Sequence, residues 1–152
     1  MRSVPQRHVL KPARILLVDD NRDGVDARRT FLQELGYEVL SAHCGLEALN
    51  ATAEQTFDLI ITDLKMEGMD GLELIRKLRE SKFQNPIILL TGFAESLGLS
   101  TETTGANAVI QKSSQEVTTL IRQTKRLIQL PRKPARSQQS RAEASRSAAG
   151  SS

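Results

Sequence analysis

The stretch LIITDLKMEGMDGLEL, residues 59–74, decides how the chain folds. Its opening residues Leu59, Ile60, Ile61 and Thr62 form an unbroken β-rich run ending at Asp63, the pattern of a strand buried on both faces of a parallel sheet. Asp70 with Glu73 then gives an N-cap signature ahead of Leu72, Leu74, Ile75 and Leu78, which recur at helical spacing. A strand, a short loop and a helix make half of a strand–helix–strand unit, and the fold turns on whether that unit repeats.

It repeats in both directions. Upstream, residues 15–18 are a second apolar run, ending at Asp19 and Asp20, and Val25, Phe31, Leu32 and Leu35 predict a helix over 22–35 with Gly36 as its C-cap. Residues 37–42 alternate like a strand and 45–53 read as a short helix. Downstream, PIILL (86–90) is a buried strand ending at Thr91, and 108–110 a short last strand ending near Lys112. Ser113 and Glu116 read as a capping box for a closing helix with Val117, Leu120, Ile121, Leu127 and Ile128 on one apolar face and Pro131 as its stop. The segment 92–104, GFAESLGLSTETT, is rich in Gly, Ser and Thr, so the fourth helix is expected to be short or mobile. Five strands alternating with helices predict a doubly wound α/β domain, a five-stranded parallel sheet with right-handed crossovers. The order expected is the flavodoxin-like 2-1-3-4-5.

Composition bounds what such a domain does. The 152 residues carry 21 Lys and Arg against 18 Asp and Glu, but five of the basic residues (Arg132, Lys133, Arg136, Arg141, Arg146) stand in 131–152 against Glu143 alone. That stretch has alanine as its only apolar residue and reads as a disordered tail; 1–13 reads as a flexible extension, leaving 14–130 as the foldable body. A basic tail invites non-specific contact with phosphates. Without aromatics or a folded reader, however, the sequence argues against sequence-specific nucleic-acid binding. Apolar runs are too short for a membrane span or a signal peptide, so a cytoplasmic location is expected. Cys44 and the two histidines, His8 and His43, cannot supply a Cys/His metal site, so any metal must be held by oxygen. His43 and Cys44 are read as structural, and Arg122, Lys125 and Arg126 as the solvated face of the last helix.

In doubly wound sheets the ligand crevice lies beyond the carboxyl ends of the strands, where Asp19, Asp20, Asp63, Thr91 and Lys112 all fall. Carboxylates brought that close repel, so either a divalent cation neutralises them or one takes up a proton. With oxygen ligands and room for water the cation that fits is Mg²⁺. A carboxylate beside Mg²⁺, a hydroxyl and an ammonium suits phosphoryl transfer, with Asp63 as nucleophile and Thr91 and Lys112 on the phosphoryl oxygens.

The motifs RILLVDDN (14–21), LIITDLKMEGMDGLEL (59–74), PIILLTG (86–92) and GANAVIQK (105–112) together resemble the receiver domain of two-component response regulators, in order and spacing and over essentially the whole body. The resemblance implies a CheY-like fold in which Asp63 is the phosphoacceptor. It implies that Asp19, Asp20 and Asp63 hold Mg²⁺ with the backbone carbonyl of Lys65, Asp20 directly and Asp19 more often through water. Thr91 is then the switch hydroxyl and Lys112 the phosphate-contacting lysine. The implied donor is a histidine kinase or histidine phosphotransfer protein, the product a phosphoaspartate that alters contacts with a downstream protein. Such a domain is a switch that catalyses only its own phosphorylation and dephosphorylation. With no output domain visible, the expectation is a stand-alone receiver.

Three positions depart from that family's pattern. Glu67 stands where proline is usual, adding a carboxylate and freeing φ. Ser113 follows Lys112 where a proline, commonly cis, is usual, and a trans bond is expected because a non-proline cis bond costs about 2.5 to 4 kcal/mol. Val109 replaces the switch aromatic and has no ring to swing between solvent and core. These departures motivate a rival reading, a pseudo-receiver that binds partners without being phosphorylated.

Overall fold

The computed structural model describes residues 11–92 and 98–129. The expectations for 1–10 and for the basic tail, and the Pro131 stop, lie outside the described residues. In chain order the elements are β1 (Arg14–Val18), α1 (Arg22–Glu34), β2 (Glu38–Ala42), α2 (Gly45–Glu54), β3 (Leu59–Asp63), α3 (Gly71–Glu80), β4 (Ile87–Thr91), α4 (Thr101–Thr104), β5 (Ala108–Gln111) and α5 (Glu116–Gln129). The sheet is parallel throughout, in the order β2-β1-β3-β4-β5.

Alternation along the central strands feeds two cores, one on each face of the sheet. Leu16, Val18, Ile60 and Leu89 point to one face with Phe57, Leu74 and Leu78, where α2 and α3 pack. Ile15, Leu17, Ile61, Ile88 and Leu90 point to the other with Val25, Leu32, Leu120 and Leu127 of α1 and α5. Every residue of β3 and β4 is buried. Because side chains leave a strand alternately, a run with no polar residue requires this two-sided cover.

Local signals set the helix starts. Asn21 Oδ1 accepts from the amides of Asp23 (3.0 Å) and Gly24 (3.2 Å) to open α1, and Asp70 Oδ1 accepts from Glu73 N at 2.9 Å to open α3. Helix α1 ends one residue before the expected cap: Leu35 is the C-cap and Gly36, with φ of 100°, takes the left-handed position after it. Helix α4 is a single turn, closed by a reciprocal Ser100–Thr103 capping box and by Gly105 at φ 82°; residues 93–97 lie outside the described residues. The Lys112–Ser113 peptide is trans.

Two expectations for α5 are corrected. Ser113 Oγ accepts from Gln115 N at 3.1 Å, but Glu116 does not close the box, because its carboxylate is drawn to Arg28 Nε at 2.7 Å. A buried guanidinium is the stronger partner for it than a solvated amide. Val117 is also 47% exposed, since the first turn of α5 starts at the carboxyl edge, past the end of β5; Thr124, fully buried beside Leu120 and Leu127, takes a place on the inward stripe.

Arg79 ties the opposite end of α3 to two loops. Its guanidinium donates to the carbonyls of Phe83 (2.8 Å), Asn85 (2.9 Å) and Gly105 (3.1 and 3.2 Å) and to Asn107 Oδ1 (2.9 Å). Asn107 Oδ1 in turn accepts from Ile87 N at 2.9 Å, so one planar fork fixes the entries to β4 and β5. Arg79→Ala is expected to lower stability by about 2 to 3 kcal/mol, and Arg79→Lys to recover less than half of it, measured by urea denaturation; an alanine variant of wild-type stability would contradict the fork's role.

Candidate functional site

Each candidate side chain stands at a strand's carboxyl end. Asp19 follows β1 directly, its amide donating to Ala42 O at 3.1 Å, so the chain leaves the sheet at a fixed angle. Asp63 is the last residue of β3, and Thr91 the last of β4. Lys112 follows β5 and is held against Thr91 by its amide, which donates to Thr91 O at 2.7 Å. The edge therefore brings Asp63, Thr91 and Lys112 together on adjacent strands, with Asp19 beside Asp63.

The contacts among them are specific. Lys112 Nζ lies 2.5 Å from Asp63 Oδ1, the lysine half-buried and the aspartate buried. Asp19, 4% exposed, accepts through Oδ1 from Asn21 N at 3.0 Å and through Oδ2 from Arg28 Nη1 at 3.1 Å. Asp20 is exposed and accepts through Oδ2 from Glu67 N at 3.0 Å. The Glu67 substitution thus supplies something proline cannot, a backbone N–H that reaches across from the β3–α3 loop. Thr91 is fully buried and, among the described residues, its Oγ1 has no hydrogen-bond partner. A buried hydroxyl left unpaired is costly and marks a place where an acceptor is wanted.

Burial pushes the Asp63 carboxyl above its ordinary value, and the Asp19 charge adds to the rise; the hydrogen bond and charge of Lys112 and the charge of Arg28 pull the other way. The net direction is upward because burial outweighs the two cations.

Beside Asp20 an open cleft of about 730 Å³ is lined by Lys65, Met66, Glu67, Asp70, Leu72 and Leu99. Gly71 closes the loop behind Asp63: its amide donates to Leu64 O at 2.8 Å, and a Cβ there would meet Asp63 O at 2.4 Å. Only glycine lets α3 start this close to the end of β3.

Among the described residues no group of three or more His, Cys, Asp or Glu side chains forms a ready metal cage. Asp19, Asp20 and Asp63 are each already engaged, by Arg28, Glu67 N and Lys112 respectively. The donor set nevertheless fits Mg²⁺, which takes one or two carboxylates and keeps several waters instead of requiring a full protein cage. A divalent ion there would favour the ionised form of Asp63 against the cost of its burial.

Outside the cluster, His43 Nδ1 is buried without a partner among the described residues, and Cys44 is a free thiol at the N-cap of α2, just past β2. Val109 is partly buried and packs on the core shared with α3. Arg28 and Gly71 were not singled out in the sequence. The signal for Arg28 is a charged residue on the stripe of α1 that also buries Val25 and Leu32.

Sheet order, helix layers and an edge of carboxylates, hydroxyl and lysine define a flavodoxin-like α/β domain with its site at the carboxyl ends of the strands. The chain belongs to the response regulator receiver domain family, whose model matches residues 15–123. It is 37% identical over 82 residues to the uncharacterized transcriptional regulatory protein YkoG of Bacillus subtilis, covering 54% of this chain and 36% of that protein. It is 42% identical over 78 residues to the response regulator MprA of Mycobacterium avium, covering 51% and 34%. With the sensor protein EvgS of Escherichia coli it shares 43% over 82 residues, 54% of this chain and 7% of that one. The chain thus matches about a third or less of the length of these relatives. Among solved structures, the response regulator TrrA of Thermotoga maritima in complex with Mg²⁺–BeF superposes with a TM-score of 0.68 at 35% identity, over 76% of this chain and 98% of that one. The chemotaxis response regulator CheY4 of Vibrio cholerae gives 0.64 at 31%, over 77% and 99%. Among the described residues no helix is long and apolar enough to cross a membrane.

The raised Asp63 carboxyl has a sign that can be checked. Because its folded-state value lies above the unfolded one, its stability contribution is present below the ordinary aspartate range and lost as pH rises through the folded-state value. Asp63→Asn is therefore expected to raise the denaturation midpoint at pH 7, with the advantage closing as pH falls below the usual carboxylate range. A variant less stable than wild type at pH 7 would mean that the Lys112 pair outweighs burial.

Proposed function

We propose that this domain, over 14–130, is a phosphoacceptor switch of a two-component relay. The observation that carries the reading is the buried Asp63 carboxylate in contact with Lys112 beside the unpartnered Thr91 hydroxyl. In the reaction an Asp63 oxygen attacks the phosphorus of a phosphohistidine. The P–O bond forms as the P–N bond breaks, and the electron pair stays on the imidazole nitrogen of the donor. Lys112 balances charge on the phosphoryl oxygens, and Thr91 donates its hydroxyl proton to one of them, satisfying the group that is otherwise orphaned. Asp19, Asp20 and the backbone carbonyl of Lys65 are the residues that would hold Mg²⁺, which when bound supplies charge neutralisation between carboxylate and phosphoryl oxygens. The Mg²⁺–BeF complex of the similar TrrA supports a place for Mg²⁺ in a domain of this kind.

The domain works on itself alone, catalysing its own phosphorylation and dephosphorylation. Its donor is a histidine kinase or histidine phosphotransfer protein, its output a changed contact with a downstream protein, and its compartment the cytoplasm where such donors act. Because the matched relatives are longer, what the phosphorylated domain controls is a property of the partner or of further chain.

Intact mass is the test, after incubation with Mg²⁺ and acetyl phosphate, beside Asp63→Asn and an excess of chelator. One phosphoryl group on the wild type, absent from both controls, is the expected result. No addition under any condition would replace this reading with the pseudo-receiver, a partner-binding domain that does not take phosphate.

A further inference from the structure

Arg28 has no part in the chemistry above, yet it touches the site. It lies on the inward stripe of α1, with a side chain only 12% exposed. Its Nη1 donates to Asp19 Oδ2 at 3.1 Å and its Nε to Glu116 Oε2 at 2.7 Å, Glu116 being the first residue of α5 and 14% exposed. One guanidinium thus bridges a carboxylate at the end of β1 and a carboxylate that begins α5, 88 residues from Arg28 along the chain. A pair this well shielded is held by geometry that surface ion pairs lack.

The path is kept open by a glycine. A Cβ on Gly24 would stand 3.1 Å from Arg28 Nη1, so the guanidinium would have to give by a few tenths of an ångström, and 3.4 Å from Asp19 Oδ2, an ordinary contact. The bridge also reaches the acceptor, since the Arg28 charge is one of those that favour ionised Asp63.

We infer that Arg28 is a positioning residue that holds Asp19 while no divalent cation is bound, and that through Glu116 it reports arrival of the cation to α5. The inference rests on the phosphoacceptor reading for the cation's place. A cation drawing on Asp19 competes with Arg28 for the same carboxylate, and two like charges at one group repel. As Asp19 gives up charge to the cation, Arg28 is left to Glu116 alone, and the balance of contacts at the first turn of α5 changes. Val109 leaves β5 without an aromatic ring, so a polar bridge from β1 to α5 is a route this chain has in its place.

The bridge makes opposite predictions for its two ends. Mg²⁺ affinity of the full chain is measured by calorimetry, with Asp20→Ala as the metal-site control and backbone amide shifts of 116–119 as a second readout. Arg28→Gln is expected to bind Mg²⁺ roughly threefold to tenfold more tightly, because one competing cation is gone. Glu116→Gln is expected to bind roughly twofold or more weakly, because Arg28 then leans on Asp19 alone. In the wild type Mg²⁺ is expected to shift the 116–119 amides, and in either variant that response falls by half or more. A bridge that serves stability only predicts both variants moving together or neither moving, with the amide response intact, and that result overturns the inference while leaving the phosphoacceptor reading in place. Should Arg28→Gln fail to fold, Glu116→Gln decides alone: unchanged or tighter binding overturns it. Absence of Mg²⁺ binding by both wild type and Arg28→Gln would overturn the reading of the metal site itself.

Discussion

Two buried carboxylates, Asp19 and Asp63, at the ends of neighbouring strands are the constraint around which the rest of the edge is arranged. Neither can shed its charge cheaply into a core that is apolar on both sides. Two cations answer them, Lys112 from beyond β5 to Asp63 and Arg28 from within α1 to Asp19. Those cations fix other parts in turn: the lysine is carried in by its own amide on Thr91, and the arginine recruits Glu116 and thereby the start of α5. The sheet's order matters to function for the same reason, because placing β3 between β1 and β4 is what sets Asp63 between Asp19 and Thr91.

The balance that results is incomplete, and the shortfall points to a use. Burial still holds the Asp63 carboxyl above its ordinary value, and among the described residues the Thr91 hydroxyl has no partner. A phosphoryl group on Asp63 with a divalent cation beside it would answer both at once, giving the hydroxyl an oxygen and the carboxylates a counter-charge. A domain built only to be stable would have replaced Thr91 with valine and lost nothing.

Much of this edge was legible in the sequence because the strands are buried on both faces. An apolar run of four or five residues that stops at Asp or Thr marks both the strand and the place where its end meets solvent, so 59–63 and 87–91 identify element and site residue together. What could not be read were contacts set by tertiary distance. Glu116 three residues after Ser113 has the spacing of a capping box, and nothing local reveals an arginine 88 residues upstream that outcompetes the amide. Val117 fits the apolar period of α5, yet its turn starts where the sheet has ended; Thr124 breaks the period and is buried all the same. Gly71 looked like an ordinary residue after an N-cap until the closeness of Asp63 O showed that no side chain fits there.

The substitutions that set this chain apart from its family's pattern act on the same edge and do so through backbone donors as much as through side chains. Glu67 in place of proline contributes an N–H that holds Asp20 on the loop beside the cleft. Ser113 in place of proline permits a trans peptide after Lys112 and an oxygen that satisfies Gln115 N, so the lysine is delivered by a regular turn into α5. The Glu67 amide on Asp20 and Arg28 on Asp19 engage both of the carboxylates proposed to take the cation. A cation that binds here must displace or share bonds already made, so its affinity reflects the difference between two engaged states. If the proposed site takes a cation, occupancy would be read out by whatever is released, and the groups now engaged lie on the β3–α3 loop and, through Arg28 and Glu116, at the start of α5.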